Sequence, residues 1–399
     1  MILRRCLRCP RRFGRVPAPW RCAGCGGPLD FEFTPPAEAL RDLFHSSPSS
    51  REGIGRWLPA LPLEEPDDLI SRGEGGTPLV EDAFRGVRVR LLLDYLNPTG
   101  SYKDRGAAVM VADLRRQRGR YLVEDSSGNA GAALALYATA VRRTAVIFVP
   151  AGTSEGKLRL IQSFRRPSVV ECEGPTAAAA RQQAASRAQV ESRRRRRIYA
   201  SHVWQPAFRH GVKTAAYEIA SALGRPAPAA VVFPAGNGVL ALGLALGFSD
   251  LHAAGLLDRP PLLIGVQAAA CAPLARAFSK AAGMRRAAEE RGETACEGIR
   301  VATPPLEREV VAAVAASGGK MLTVKEHQAR AALDGLWKRG YAVELTSAVV
   351  TAVLTRYALR WRRRFDSLGL EGPLVGILTG SGLKGDGGKS LRAHHAKPR

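Results

Sequence analysis

"NPTGSYKDRG", residues Asn97 to Gly106, places one lysine, Lys103, between a turn and a helical segment. Asn97-Pro98 and Gly100 are typical turn residues, and the residues after Lys103 favour a helix. A lysine at such a junction has two interpretations. It is either a solvated surface cation or an amine in a desolvated cleft, where a lowered pKa lets it form an imine with an aldehyde. The remainder of the sequence distinguishes between the two.

Apolar strand-like segments alternate with helical segments through most of the chain. "RYLVED", "AVIFVP" and "AAVVFP" are typical of buried strands, and Ala-rich runs such as Asn129 to Ala140 predict the helices between them. This alternation predicts parallel sheets that are covered by helices on both faces. We therefore predict an α/β fold with two doubly wound parallel-sheet domains.

Two glycine-rich turns lie between predicted strands and helices, where open α/β sheets bind ligands. In "EDSSGNAG" (Glu124 to Gly131) the N–H groups of the helix start suit a carboxylate, and Asn129 adds a side-chain donor. In "PAGNGVLALG" (Pro234 to Gly243) the glycines let backbone N–H groups surround a phosphate. Both turns therefore predict binding of an anionic group.

The second turn has two competing interpretations. A dinucleotide fingerprint fails on spacing, because GxGxxG is not met and no acidic residue ends the following strand. A plain helix cap is the other alternative for a single loop of this kind. A third glycine-rich segment, "LTGSGLKG" (Leu378 to Gly385), ends the last predicted strand.

Four cysteines form two CxxC pairs near the start of the chain: Cys6, Cys9, Cys22 and Cys25. Twelve residues separate the pairs, which is a spacing typical of structural zinc sites with four thiolates at the corners of a tetrahedron. Two disulfides or free thiols are the alternative, and a cytoplasmic setting disfavours disulfides. We therefore predict a small N-terminal zinc ribbon.

The net charge of +23 is high for this length and would attract both polyanions and anionic substrates. Arg193 to Arg197 form either a nucleic-acid patch or a solvated face, and the lack of interleaved aromatic residues favours the solvated face. No apolar run approaches the roughly 18 residues that span a bilayer. The first ten residues lack the apolar core of a secretory signal. We expect a cytoplasmic protein without a membrane or nucleic-acid partner.

Four motifs in a fixed order carry a resemblance to a known family: "PTGSYKDRG", "SSGNAG", "GNG" after a strand, and "LTGSGLK". With them the chain resembles the fold type II pyridoxal-phosphate enzymes, and among these the threonine synthases. "GEGGTPL", "GVKTAAYEIASALG" and "VELTSAV" are also similar to threonine synthase segments, as is the cysteine-rich start. The resemblance extends from about Gly73 to Gly385.

The resemblance implies pyridoxal 5'-phosphate as the cofactor and a role for each matching residue. Lys103 matches the catalytic lysine that holds the cofactor as a Schiff base. Asn129 matches the asparagine beside the cofactor's 3-oxygen, and Thr379 matches the hydroxyl at the pyridine nitrogen, which favours elimination and replacement over transamination. The remaining cofactor-binding residues form the phosphate loop: Gly236, Asn237, Gly238, Val239 and Leu240.

The substrate is expected to be an amino acid that binds by its carboxylate at the turn after "VED". The predicted contacts there are Ser126, Ser127 and Gly128. A second segment, "ASHVWQPAFRHG", keeps a serine of the family at Ser201, and Arg209 lies one place beyond the expected arginine.

One departure from the family concerns the substrate phosphate. Ala130 and Gly131 follow Asn129 where threonine synthases usually have hydroxyl residues. Arg209 and Lys213 share one face of a predicted helix, so we predict Arg209 as the relocated phosphate anchor. The alternative is that both are ordinary surface cations.

The reaction implied by the resemblance is the conversion of O-phosphohomoserine and water to threonine and phosphate by a pyridoxal-phosphate-dependent lyase. A serine/threonine dehydratase or a β-replacement synthase is the first alternative. A basic zinc-ribbon protein that binds nucleic acid on a relic enzyme fold is the second. The family suggests a homodimer.

The predicted domain boundaries follow from these motifs. Residues 1–33 form the zinc ribbon, 34–96 an irregular arm with the first strand of the large domain, 97–205 a small α/β domain, and 206–399 a large α/β domain that binds the cofactor.

Overall fold

The computed structural model describes residues 2–14, 19–45, 53–126, 128–165, 167–224, 227–284, 293–367 and 369–384. Two residues of the predicted motifs, Ser127 and Gly385, lie outside these ranges. Among the described residues, no helix combines the length and the apolar character needed to cross a bilayer.

The strands are short, and many of them are rich in apolar, β-branched residues, which suit a pleated sheet. In chain order they are β1 (Arg4–Cys6), β2 (Arg12–Phe13), β3 (Leu29–Phe31), β4 (Leu79–Phe84), β5 (Val87–Leu92), β6 (Tyr121–Glu124), β7 (Thr144–Pro150), β8 (Ser168–Cys172), β9 (Arg197–Tyr199), β10 (Ala230–Pro234), β11 (Leu262–Ala268), β12 (Lys320–Val324) and β13 (Leu374–Ile377).

The α-helices lie mostly between successive strands, as parallel pairing requires. They are α1 (Ala37–His45), α2 (Lys103–Arg115), α3 (Asn129–Ala140), α4 (Glu155–Gln162), α5 (Ala177–Glu191), α6 (Pro206–Val212), α7 (Thr214–Leu223), α8 (Val239–Ala253), α9 (Pro273–Ala281), α10 (Glu307–Ala316), α11 (Glu326–Lys338) and α12 (Leu345–Ser367). Short 3-10 helices span Gly53–Ala60, Pro66–Asp68, Asp94–Leu96, Glu297–Ile299 and Gly382–Lys384.

Two sheets carry the α/β architecture within the described residues. The smaller has the strand order β8-β7-β6-β9 and is parallel throughout. The larger has the order β12-β11-β10-β13-β5-β4, and its strands are parallel except that β4 pairs antiparallel with β5. The predicted α/β fold with parallel sheets is therefore confirmed, with one antiparallel edge strand that the sequence pattern did not indicate.

One further part of the sequence interpretation was wrong, and one strand was not identified. The predicted arm of residues 34–96 is not irregular before its first strand, because α1 and the 3-10 helix Gly53–Ala60 bury Leu40 and Trp57 in the main core. Strand β12, which the sequence analysis did not identify, is an edge strand of the larger sheet. These segments are too short to show a clear periodic pattern of apolar residues, so the sequence did not reveal that they pack against the core.

Helix α2 is buried along most of its length and carries the lysine of the opening motif as its first residue. It packs against α3 and α6, so it lies in the main core that both sheets share. A helix with little exposed surface is held rigidly by its neighbours. The position of Lys103 is therefore fixed by the core.

Strands β1, β2 and β3 form a small antiparallel sheet that docks onto α2 and α6 through buried polar contacts. Arg4 pairs with Asp113 at 2.5 Å, and His210 Nε2 lies 3.0 Å from Asp30 Oδ1. Burial would raise the pKa of Asp30, but Arg209 and His210 outweigh it and lower that pKa to about 2. The N-terminal segment is thus joined to the α/β core by ion pairs as well as by apolar contact.

Candidate active site

A cleft of about 590 Å³ opens where the carboxyl ends of strands from both sheets meet. All four predicted motifs contribute residues to its lining, and the fourth does so through Thr379. Carboxyl-end crevices are the usual ligand sites of open α/β sheets. The fold therefore assembles one site from segments that are far apart in the chain.

Lys103 is half-buried in this cleft, and its Nζ donates a hydrogen bond to Tyr102 Oη at 2.6 Å. Burial lowers the pKa of Lys103 to about 7, although the carboxylates of Glu124 and Glu344 act in the opposite direction. A large share of this amine is therefore neutral near pH 7, as attack on an aldehyde requires.

The turn before Lys103 is held to the end of β13. Tyr102 N donates to Thr379 O at 3.1 Å, and Ser101 bridges to Gly380. Gly100 has a φ of +75°, which a residue with a side chain rarely adopts. These contacts bring the start of α2 beside the last motif of the chain.

Buried carboxylates fix the same turn from within. Asp104 accepts hydrogen bonds from Thr99 N and Thr99 Oγ1, both at 2.8 Å. Arg105 pairs with Asp94 at 2.7 Å and with Glu218 at 2.6 Å, and its side chain is fully buried. The residues after Lys103 therefore position the lysine and do not line the cleft themselves.

The turn after β6 contributes Ser126, Gly128 and Asn129 to the lining of the cleft. Asn129 Nδ2 donates to the carboxylate of Glu344 at 3.2 Å, and its Oδ1 accepts from Lys384 Nζ at 2.6 Å. Asn129 is thus held in one orientation by partners whose roles the sequence did not reveal.

The loop between β10 and α8 forms the other side of the cleft. Gly238 has a φ of +91°, and a Cβ on Gly236 would lie 2.6 Å from Gly298 O. Gly236, Asn237, Gly238 and Leu240 line the cleft, whereas Val239 is buried and does not. The first N–H groups of α8 have no partner within the helix, so the loop presents donors to an anion.

Thr379 lies directly after β13 and lines the cleft. Its N–H donates to Ser347 Oγ at 3.0 Å, and the two hydroxyl oxygens are 3.2 Å apart. Ser347 also accepts a hydrogen bond from Gly380 N at 2.9 Å. Thr379 therefore offers a fixed, uncharged hydroxyl.

A buried carboxyl and a histidine, which the sequence interpretation missed, support the phosphate loop. Glu124 accepts from His202 N at 2.9 Å and lies 3.1 Å from His202 Nδ1, while Asn237 Nδ2 lies 3.4 Å from His202 Nε2. Burial raises the pKa of Glu124 to about 8 and lowers that of His202 well below its usual value. Both shifts favour an uncharged pair, which orients Asn237 without adding a charge.

Two predicted substrate residues are not at the cleft surface. Ser201 is fully buried beyond the end of β9. Arg209 is also buried, where it donates to Leu29 O in the N-terminal sheet and lies 3.7 Å from Asp30. Lys213 is buried and paired with Asp250 at 2.8 Å. The structure therefore does not bring Arg209 and Lys213 to a substrate, because that helix face packs against the protein interior.

The four cysteines of the CxxC pairs come together as one cluster. Their sulfurs all lie within 4.8 Å of one another, with Cys6 and Cys25 3.5 Å apart and Cys9 and Cys22 3.6 Å apart. Arg8 N and Gly24 N point at sulfur, at 3.3 and 3.4 Å. This arrangement can hold a metal ion, and it does not share the cleft.

The cleft holds a fixed lysine whose amine is partly neutral near pH 7, a glycine loop that presents N–H donors, and an uncharged hydroxyl. Together these groups suit a phosphorylated aldehyde. The family model described as "Pyridoxal-phosphate dependent enzyme" matches residues 70–367, and the chain belongs to this family. The cleft fits the cofactor, because its glycine loop presents N–H donors for a phosphate in the same cavity as the Lys103 amine and the polar side chains of Asn129 and Thr379.

Relatives of nearly full length are threonine synthases. That of Methanocaldococcus jannaschii is 28% identical over 405 residues, covering 98% of this chain and 95% of the relative. That of Mycobacterium leprae is 29% identical over 341 residues, covering 83% of this chain and 88% of the relative.

Solved structures with the same fold have other activities in their names. A threonine deaminase from T.th. is 26% identical with a TM-score of 0.58, covering 76% of this chain and 92% of that chain. An L-serine ammonia-lyase of Rhizomucor miehei has a TM-score of 0.62 at 21% identity, with 76% and 93% of the chains covered, and it shows the shared fold alone.

Proposed function

We propose that this protein is a pyridoxal-phosphate-dependent lyase of the threonine synthase type, which converts O-phosphohomoserine and water to threonine and phosphate. The observation that carries the proposal is the amine of Lys103, which has a pKa near 7 and lies in one cleft with the phosphate loop. Threonine synthases that align over almost the whole chain support the choice of reaction.

The residues of the cleft suit each part of the cofactor. Lys103 would attach it covalently, and the N–H groups of the 236–240 loop would hold its phosphate. Asn129 would contact the ring oxygen, and the Thr379 hydroxyl would serve the ring nitrogen. The bound cofactor supplies an electron sink for the substrate's α carbon, and a neutral hydroxyl at the nitrogen keeps that sink moderate.

The chain's own groups then bind the substrate and move its protons. N–H groups of the turn at Ser126 and Gly128 would hold the carboxylate. The Lys103 amine, when it is free, would take the α proton and return protons to the carbon chain. A pKa near 7 suits this exchange, because the amine both accepts and donates protons at neutral pH.

A second candidate is a dehydratase that acts on serine or threonine. It is favoured by the solved threonine deaminase, which is 26% identical over 76% of this chain. A β-replacement synthase would use the same cofactor contacts.

A two-product assay separates these reactions. Purified holoenzyme with O-phosphohomoserine should release inorganic phosphate and threonine in equal amounts. Formation of a 2-oxo acid and ammonia from serine or threonine, with no phosphate release from O-phosphohomoserine, would replace the synthase with the dehydratase.

For the four-cysteine cluster we propose a structural zinc site. Tetrahedral bonds of about 2.3 Å place sulfurs about 3.8 Å apart, and the Cys6–Cys25 and Cys9–Cys22 sulfurs are 3.5 and 3.6 Å apart. Four protein ligands leave no open position for chemistry. Metal analysis should find about one zinc per chain, as one closed four-sulfur site requires.

Other expectations from the sequence stay predictions. These are the division into four segments, a cytoplasmic location, a homodimer and the absence of a nucleic-acid partner. In the arginine run, Arg194 and Arg197 pair with Glu191 at 3.2 and 2.9 Å, which supports a solvated face.

A further inference from the structure

Three basic side chains line the same cleft as Lys103, and none of them belongs to the motifs of the cofactor site. Lys157 lies in the first turn of α4, Arg181 in α5, and Arg300 just after the 3-10 helix Glu297–Ile299. All three are half-buried. The cleft therefore has a cationic part that cofactor binding does not explain.

Arg181 is the least compensated of the three cations. Within the described part of the chain it makes no hydrogen bond and no ion pair, although it is withdrawn from bulk water. Burial and the neighbouring charge of Arg300 lower its pKa, against a smaller opposing effect from Glu297 and Asp125. A guanidinium stays charged in proteins, so this group is available to bind an anion.

The carboxylate of Glu297 shows that an anion is stable here. It pairs with Lys157, and its pKa is lowered by Lys157, Arg300 and Arg181 together, although burial alone would raise it. Glu293 lies 3.8 Å from Arg300, and Asp125 also lines the cleft. Both glutamates belong to the segment that approaches the phosphate loop through Gly298.

A phosphate dianion needs several charge-assisted hydrogen bonds, and a planar guanidinium fork supplies two of them at once. The residue that the sequence favoured for this task, Arg209, is buried against the N-terminal sheet. The turn after β6 and the 236–240 loop are already assigned to the substrate carboxylate and the cofactor phosphate. An anionic end of the substrate would therefore meet the basic wall.

We propose that Arg181, assisted by Arg300 and Lys157, binds the phosphate at the far end of the amino-acid substrate. Glu297 competes for the same cations and is displaced from Lys157 when the phosphate binds. This assignment rests on the proposed function for its ligand, and it makes Arg181 the residue that distinguishes phosphorylated from unphosphorylated substrates.

The test uses holoenzyme and two ligands that differ only at the far end. The first is 2-amino-5-phosphonopentanoate, in which carbon replaces the phosphate ester oxygen, and the second is 2-aminopentanoate. Binding is measured from the change in cofactor absorbance, so no turnover is needed. Inorganic phosphate is titrated separately by its competition with the phosphonate.

Arg181→Gln should weaken phosphonate binding by about tenfold or more, because a charge-assisted fork is lost. Its Kd for 2-aminopentanoate should not change. Glu297→Gln should act in the opposite direction and tighten phosphonate binding, because it removes the competing carboxylate. Arg187→Gln is the matched control, since Arg187 lies exposed on the same helix and does not line the cleft.

The outcomes separate this inference from the proposed function. If wild type releases phosphate from O-phosphohomoserine but Arg181→Gln binds the phosphonate normally, the assignment is wrong and the function stands. If wild type ignores O-phosphohomoserine yet binds inorganic phosphate in a way that Arg181→Gln abolishes, the anion site stands and the function fails. An equal loss of both amino-acid ligands in Arg181→Gln would also overturn the assignment, because it would indicate a general defect of the cleft.

Discussion

The four-cysteine cluster and the cleft are two sites built in opposite ways. All four sulfurs of the cluster come from residues 6 to 25, on two short turns. The cleft collects Lys103, Asn129, the 236–240 loop and Thr379 from across most of the chain. The first site depends on local spacing, whereas the second depends on parallel strands that end at a common edge. Damage to one should therefore leave the other largely intact.

The largest effect is expected from Lys103→Ala. The cleft would lose its covalent attachment and its proton carrier, so turnover should fall by at least about 10³-fold. Zinc content and the melting temperature should stay near those of wild type. Lys384→Met is the matched lysine control: Lys384 bonds Gly100 O and Asn129 Oδ1, and burial lowers its pKa to about 8. The Lys384→Met variant should keep the covalently attached cofactor. If it loses that attachment, the assignment of Lys103 is wrong.

The next largest effect should come from the double change Cys22→Ser and Cys25→Ser. It removes two of the four sulfurs, so bound metal should be lost and Tm should fall. Cofactor absorbance should persist at a temperature well below the new Tm. Loss of metal and cofactor together at that temperature would contradict the independence of the two sites.

The parts of the site that the sequence predicted share one physical property. Lys103, Asn129, Gly236 and Thr379 each lie at a junction between a strand or turn and a helix or loop, and the parallel topology forces such junctions to one edge. Neighbouring glycines such as Gly100 and Gly238 form the turns at these junctions. A motif that contains them therefore also predicts where in the fold it lies.

The position of Arg209 shows why the other parts of the site could not be predicted from the sequence. Whether a helix face meets the cleft or the interior depends on its packing partner, and here that partner is Leu29, 180 positions earlier. The pairing of Glu124 with His202 spans 78 positions. No local spacing records such contacts. Short edge strands such as β12 were not predicted for the same reason, because they form only by pairing with strands that are distant in the sequence.

A smaller effect, confined to stability, is expected for Arg209→Met. It leaves Asp30 with one fewer cation in a buried setting, which typically costs about 3 kcal/mol of the free energy of unfolding. The KM for the phosphorylated substrate should be unchanged. Denaturant unfolding and steady-state kinetics on the same preparation measure both quantities. A raised KM with normal stability would restore Arg209 as a substrate anchor.

The smallest effect is a shift in the pH dependence of the rate at which the cofactor is taken up. Burial lowers the pKa of Lys103 from 10.5 to about 7, so its neutral fraction rises between pH 6 and pH 8 and then levels off. The rate at which apoprotein takes up pyridoxal phosphate, followed by absorbance, should therefore reach a plateau above about pH 8. An ordinary lysine would instead give a rate that keeps rising towards pH 10.

The most direct measurement is borohydride reduction of the holoenzyme, followed by peptide mapping of the attached cofactor. The account predicts a single modified peptide that contains Lys103, the first residue of α2. Modification at Lys157 or Lys384 instead would contradict the assignment of the cleft, and with it the roles given to the turn, the phosphate loop and Thr379.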